Sequence, residues 1–405
     1  MDAHVEPTKT APSPTDQSAG MGTIVLLGII SGVAAANIYY NQPLLGLMDR
    51  SFATASAGDA ARLIPAVTMI GYAIGIVTLI PLGDRYVRRD LIAVQLIALA
   101  LALIGMAFAP SLPLLAVASF FVGMLSTAAQ QTVPFAADLA TDSNRGSMVG
   151  AVMTGLLLGI LLARTVSGFV GDLFGWRAVF FMAASICLTL ALISWRALPY
   201  RPAGEKMGYG ALLASVGRLI VEQPVLRQAA FAQAFLFGCF NLFWVTLVLL
   251  LEGAPFDLTP SYIGLFGVIG AAGVLAAPIA GRLSDRMDPS RVRLAGIALT
   301  IVSFVGFAFS GHSIIGLILG TIVLDFGLNL AHIANQTRIY ALDPAARGRI
   351  NTVYMSVLFV GGAIGATIGT QAWAFGGWVA VCVAGIALSL GAMGVVTLTN
   401  RTSQS

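Results

Sequence analysis

Charge is what this sequence has least of. Only 10% of its 405 residues are Asp, Glu, Lys or Arg, against roughly 25% in a soluble globular domain. A soluble chain of this length covers its core with charged surface, so the shortage excludes a water-soluble fold. Cysteine is scarce too. Cys187, Cys239 and Cys382 each sit inside an apolar run, without metal-ligand or CxxC spacing, and read as small packing residues. His4 lies in a polar tail and His312 in a short loop, neither placed as a metal ligand. There is no glycine-rich loop with a phosphate-gripping lysine, which excludes ATP-driven transport. No polar segment is long enough for a catalytic domain, and no nucleophile–base set or metal cluster is present. The expectation is therefore no enzyme, no cofactor, no bound metal and no nucleic-acid partner. Residues 1–21 lack the basic start, short apolar run and cleavage site of a signal peptide and read as a disordered cytoplasmic tail.

What is abundant is apolar chain: 58% of residues are of hydrophobic types and mean hydropathy is +0.89. A span needs about 20 mainly apolar residues with few charges. That criterion predicts helices near 22–45, 61–82, 91–109, 112–137, 147–170 and 177–195. A polar segment over 197–225 follows, then helices near 226–250, 261–281, 292–310, 313–337, 348–371 and 378–398. The fold class expected is all-α and polytopic, with twelve membrane helices. The domains are a six-helix bundle over 22–196, a cytoplasmic linker over 197–225, a second bundle over 226–398 and a tail over 399–405.

The basic residues orient this topology. With the amino terminus inside, Arg50, Arg62 and Arg177 fall at outer ends and Arg164 inside a helix, which leaves 18 of the 22 Lys and Arg residues on the cytoplasmic side. The positive-inside rule then puts both termini and the linker in the cytoplasm. A repeat is also visible. Asp84-Arg85 recurs as Asp285-Arg286, 201 residues later. Arg145-Gly146 recurs as Arg347-Gly348, and Gly175-Trp176 as Gly377-Trp378, each 202 residues later. Gln131-Thr132 has its match in Gln336-Thr337. Four matches in one order argue for two pseudo-symmetric halves, as in many secondary transporters.

Those residues resemble the major facilitator superfamily over nearly the whole chain. Its loop motif runs glycine, any, leucine, any, Asp-Arg, any, glycine and two basic residues. Here the loop between helices 2 and 3 ends Asp84-Arg85-Tyr86-Val87-Arg88-Arg89, with Ile80 and Val87 at the glycine positions. The second copy, Gly281-Arg282-Leu283-Ser284-Asp285-Arg286, is truer at its start and departs at Met287-Asp288-Pro289. Asn37-Ile38-Tyr39-Tyr40-Asn41-Gln42-Pro43 resembles the twelve-helix drug:proton antiporters, which are bacterial exporters. Two positions depart from that type. Phe120 stands where an arginine of helix 4 is usual, and Ile160 where helix 5 usually carries a proline. The resemblance implies a fold in which helices 1, 4, 7 and 10 line a central cavity.

Asp325 is the acid that stands out, well inside helix 10, where an ionisable group is costly unless it faces water or a partner. Proton exchange, a structural ion pair and direct substrate contact are its three readings. Arg164, about halfway along helix 5, cannot easily be neutralised. It pairs with Asp325, binds an anionic substrate group, or snorkels to an interface. The four cavity helices carry most of the uncharged polar groups. They offer Asn37, Tyr40, Asn41 and Gln42, with Tyr39 beside them, from helix 1. Gln130 and Gln131 come from helix 4, and Asn241 and Trp244 from helix 7. Asn329, His332 and Gln336, with Asn335, share roughly one face of helix 10 with Asp325. For any one amide, helix–helix hydrogen bonding is as good a reading as ligand contact. Asp84, Arg85, Arg88, Arg89 and Asp138, with Arg145, Asp285, Arg286 and Arg347, are candidates for a conformational latch; plain positive-inside anchoring is the alternative. Gly155, Gly159 and Gly168 in helix 5, and Gly361, Gly365 and Gly369 in helix 11, have the spacing that lets helices approach closely.

The function expected is secondary active transport driven by a proton gradient, exporting a small organic or amphipathic solute from a monomer in the bacterial inner membrane. The partners are that solute, protons and membrane lipid. Proton-coupled uptake of a small organic anion is an alternative. A non-transporting membrane receptor or scaffold is the alternative from another class.

Overall fold

The structure is a computed structural model that describes residues 20–52, 61–141, 144–202, 208–274, 287–343 and 346–402. Asp285, Arg286 and the expected tail over 1–19 lie outside them. Fourteen helices are named in chain order among the described residues. They are α1 (Met21–Ala36), α2 (Leu45–Ser51), α3 (Ile64–Leu79), α4 (Arg88–Phe108), α5 (Leu112–Leu125), α6 (Ala128–Leu139), α7 (Arg145–Phe174) and α8 (Trp176–Ala197), then α9 (Tyr209–Glu222), α10 (Pro224–Glu252), α11 (Pro260–Val274), α12 (Pro289–Ser310), α13 (Ile314–Tyr340) and α14 (Arg347–Thr402). Backbone groups in lipid must be satisfied within the segment, and helices do so.

Among the described residues, nine helices are long and apolar enough to cross a membrane, and Met21–Ala36 and Pro260–Gly270 are shorter apolar helices. One of the nine, Arg347–Thr397, is 51 residues long, which at the helical rise is about 75 Å, more than two hydrocarbon thicknesses. Its backbone breaks at Gly376 (φ −156°, ψ 26°) and Gly377 (φ 60°, ψ −150°), which splits α14 into two legs. The chain turns at Gly175 (φ 83°, ψ 158°) in the same way. Both Gly377 and Gly175 hold a backbone region open essentially to glycine alone, and a tryptophan follows each. The Trp176 indole N–H donates to Ser51 Oγ at 2.8 Å, and that of Trp378 to the Phe307 carbonyl at 2.9 Å. The repeat seen in the sequence is thus a repeat of turn geometry.

Two expected elements differ. Helix 1, expected over 22–45, stops at Ala36; turns, a 3₁₀ segment over Gln42–Leu44 and α2 follow. Pro43 has no N–H to give to the preceding turn, and Asn37 and Asn41 are weak helix formers. The segment over 197–225 contains α9, whose Val216 is buried with Leu219 and Ile220 against the core. An amphipathic stripe thus lies within a stretch that reads as polar overall.

In the first half α1 packs on α7, α3 on α5 and α4 on α8; in the second, α10 packs on α14 and α12 on α13. The halves meet along α7–α11 and α3–α14. Glycine permits the closest crossings. Gly155 and Gly159 of α7 lie on the backbone of Gly28 and Gly32, and Gly361 and Gly365 of α14 on that of Ala234 and Gly238. Gly168 lies against Pro260 and Gly264, so α7 and α11 seal one end of the interface between the halves.

Candidate functional site

A cavity of about 340 Å³ lies between the halves, with walls from α1, α3, α6 and α7 on one side and α10, α11, α13 and α14 on the other. The volume suits a small organic ligand. Arg164 and Asp325 both line it. Each is buried, at 3% and 4% exposure, so neither reaches an aqueous interface by snorkelling.

Arg164 rises from α7 beneath the α7–α11 crossing. Its Nε donates to Gln42 Oε1 at 2.8 Å. Its guanidinium lies 4.2 Å from the Trp244 ring centre, 4.7 Å from that of Tyr39 and 5.5 Å from that of Phe240. Such an aromatic enclosure stabilises a desolvated cation. Its Nη2 has no hydrogen-bond partner. Asp325 comes from α13 on the opposite wall. Its Oδ1 is also unpartnered. A Cβ placed on Gly270 would stand 2.8 Å from Asp325 Oδ2 and 3.2 Å from Trp244 Cζ2, so α11 has to carry glycine there. The Trp244 indole nitrogen is buried without a hydrogen-bond partner. No ion pair within 4 Å joins Asp325 to Arg164 among the described residues.

Asn329, His332 and Gln336 line the cavity with Asp325, one stripe of α13. Asn329 Nδ2 bonds the Asp325 carbonyl at 2.9 Å, and His332 Nδ1 lies 3.0 Å from the Tyr354 hydroxyl. Asn335 turns away and donates to Gln233 Oε1 at 3.1 Å. Gln130 lines the cavity and donates to the Tyr72 hydroxyl at 3.0 Å. Gln131 is buried instead, with its amide on the Leu79 and Ile80 carbonyls. Trp244 faces the cavity, whereas Asn241 bonds the Phe237 carbonyl one turn back.

Helix 1 is where the sequence reading needs correcting. Asn37, Tyr40, Asn41 and Gln42 are not among the cavity-lining residues; Ile38 and Tyr39 are. Asn37 bonds the Val33 carbonyl, Asn41 the Thr68 hydroxyl and Gln42 the Arg164 side chain. The turn after Ala36 shifts the helical register, so the polar groups point into the first bundle. Phe237, Phe240 and Phe359 were not singled out by the sequence reading, yet they line the cavity. Their signal is spacing: Phe237, Phe240 and Trp244 fall at i, i+3 and i+7, one helix face.

Arg293 also departs from the sequence reading. It is expected at a helix end and is fully buried. It reaches Gln228 Oε1 at 3.3 Å and Asn335 Oδ1 at 3.4 Å, inside the second half.

Of the latch candidates, Arg88 meets Asp138 at 3.4 Å, and Arg89 meets Asp90 at 3.0 Å and lies over the Tyr200 ring. Arg85 is exposed, and Arg347 donates to the Tyr340 carbonyl at 3.1 Å. Asp84 closes a 3₁₀ turn over Ile80–Asp84 and Arg145 opens α7. At the opposite end, Asp172 of α7 accepts from Thr259 at 2.8 Å and from Ser261 at 2.6 Å, across the interface between the halves.

Among the described residues no group of His, Cys, Asp or Glu has the arrangement of a metal site, and the lining offers no nucleophile–base pair. What the lining presents is one cation, one acid, a few amides and a row of aromatic rings.

The chain is 39% identical over 367 residues to the Uncharacterized transporter YgaY of Escherichia coli O157:H7, covering 91% of this chain and 93% of the relative. It is 32% identical to the Probable transporter SCO4007 of Streptomyces coelicolor, covering 95% and 93%. Among solved structures it shares a fold with a bacterial homologue of the human lysosomal transporter Spinster, in an inward-facing and occupied conformation. There the TM-score is 0.73 at 15% identity, over 94% of this chain and 96% of that one. The model of the Major Facilitator Superfamily matches residues 25–366, and matches again over 229–404. That match spans most of a chain whose halves enclose a cavity lined by Arg164 and Asp325, and the protein belongs to the Major Facilitator Superfamily of secondary transporters.

Proposed function

We propose that the protein is a proton-coupled secondary transporter of twelve crossings, with a six-helix bundle over 22–196 and another over 226–398. On this reading both termini and α9 are cytoplasmic, a monomer suffices, and the membrane is the bacterial inner membrane. Met21–Ala36, Pro260–Val274 and the two legs of α14 bring the nine clear spans to twelve. Asp325 carries the proton. The observation that supports this is a buried, unpartnered carboxylate oxygen on the wall of a cavity that both halves line. Such a group is tolerated at depth where it exchanges with water or a partner charge. Arg164 sets the electrostatics of that exchange. Asp172 with Thr259 and Ser261 holds the outer end, and the Arg88–Asp138 pair belongs to the cytoplasmic latch. The Asp172 contacts, which cross between the halves, must break for the site to face alternate sides.

The direction proposed is export, after the resemblance of the Asn37–Pro43 segment to drug:proton antiporters. The unpartnered Nη2 of Arg164 favours an anionic solute and keeps proton-coupled uptake of an organic anion as a second reading. Proteoliposomes with an imposed pH gradient test both. Export requires solute flux against the proton flow that responds to the gradient, and Asp325→Asn abolishes that response. Flux indifferent to the gradient in the wild type refutes coupling; a normal response in Asp325→Asn removes that residue from the proton role.

A further inference from the structure

We propose that the solute is a small planar aromatic monocarboxylate, its carboxylate held by Arg164 and its ring laid along a row of aromatic side chains in the cavity. This deepens the reading above and rests on the cavity being the transport site; it does not depend on the direction of transport.

The head-group argument starts from donors. A guanidinium carries five N–H groups, and Arg164 uses one, on Gln42. Its Nη2 is buried and has no hydrogen-bond partner. Asp325 does not complete it, since no ion pair within 4 Å joins the two. A neutral solute without an acceptor leaves the buried Nη2 donor of a charged group unmet, which is costly. An ammonium would face the guanidinium, whose stacking already takes the Trp244, Tyr39 and Phe240 faces. A carboxylate matches the guanidinium fork with two parallel hydrogen bonds. One negative charge suffices, because Arg164 is the only Arg or Lys among the described residues that line the cavity and Asp325 stands nearby.

The ring argument starts from a continuous path. Trp244 lies 6.0 Å from Phe240, Phe240 5.5 Å from Phe237, Phe237 5.1 Å from Phe359, and Phe359 4.3 Å from Tyr72. Phe237 and Phe240 are nearly parallel, at 7°. The row begins under Arg164 and crosses from the second half to the first at the Phe359–Tyr72 contact. It ends where Tyr72 accepts a hydrogen bond from Gln130. A flat ring gains offset-stacked and edge contacts along such a row, while an aliphatic acid fills it with area alone. Because the row is shared by both halves, a solute lying on it feels their relative motion.

The test uses the full chain in nanodiscs and three acid–amide pairs: benzoate and benzamide, cinnamate and cinnamamide, indole-3-acetate and indole-3-acetamide. Acetate serves as a carboxylate without a ring. Calorimetric titration is expected to show saturable binding of at least one acid, with about tenfold or greater preference over its amide, the range of a charge-assisted bond, and acetate weaker still. Arg164→Gln is expected to remove the acid–amide difference. Asp325→Asn is expected to tighten the acid severalfold by removing a like charge. If Arg164→Gln does not fold, the wild-type preferences decide alone. No saturable acid binding, amides bound as tightly as acids, or acetate bound as tightly as the aromatic acids each overturns the proposal. Failure of proton coupling is distinguishable: it leaves the acid–amide preference intact while flux ignores the pH gradient.

Discussion

Arg164 was legible as a residue and illegible as a partner. Its depth in helix 5 follows from hydropathy alone. That Gln42, rather than Asp325, takes its one hydrogen bond depends on how α7 meets the turns after α1. Gln42→Leu is expected to destabilise the protein by about 1–3 kcal/mol, the cost of a buried donor left without its acceptor. A lower thermal midpoint in detergent checks it; an unchanged midpoint means that Arg164 finds another acceptor. Gly270→Ala tests the seat of Asp325. The added methyl has 2.8 Å to Oδ2 where ordinary contact needs more, so the carboxylate must move. The expected result is weakened gradient-driven flux with the fold retained, read in proteoliposomes against the wild type. The aromatic wall was hidden for a different reason. In a membrane protein Phe faces lipid as readily as a cavity, and composition carries no label for the two.

At the scale of elements, most helices were readable to within a few residues, because a span is a length requirement and an apolar requirement together. The misses have local causes. Helix 1 loses its ladder at Pro43 and the asparagines before it, and α9 hides a narrow apolar stripe among charges. The glycine spacings in helices 5 and 11 were visible as periodicity, but their partners were not. Gly159→Leu is expected to cost about 1–3 kcal/mol, the scale of overpacking, because a side chain there runs into the Gly32 backbone. Gly150→Ala on the same helix meets nothing within 4 Å and is the neutral control. Thermal unfolding of the two variants separates them; equal midpoints would show that α1 and α7 do not cross closely. Gly377→Ala is expected to lower the midpoint as well, by about 1–3 kcal/mol for a strained backbone, with the same variant at Gly175 as its repeat-related partner.

For the whole molecule, α7 and α11 close one end of the interface between the halves. Asp172 carries two hydrogen bonds across the halves there. Asp172→Ala is expected to shift the population toward opening at that end. Spin labels at Leu173 and Tyr262, both exposed, are then expected to show a longer, broader distance distribution; an unchanged distribution would assign closure to packing at Gly168 and Gly264 instead.

The sequence by itself determined the membrane class, the position of most long apolar helices and the doubled turn at Gly175 and Gly377. All of these follow from the order of residues along one chain and their transfer between water and lipid. Only the tertiary structure decided which groups meet: Arg164 with Gln42 and Trp244, Asp325 with Gly270, Phe359 with Tyr72. The repeat could not supply those pairs. The position equivalent to Arg164 in the second half is Ala366, which is buried in packing. Contacts between halves depend on how two bundles settle against each other, and no local periodicity along either one encodes it.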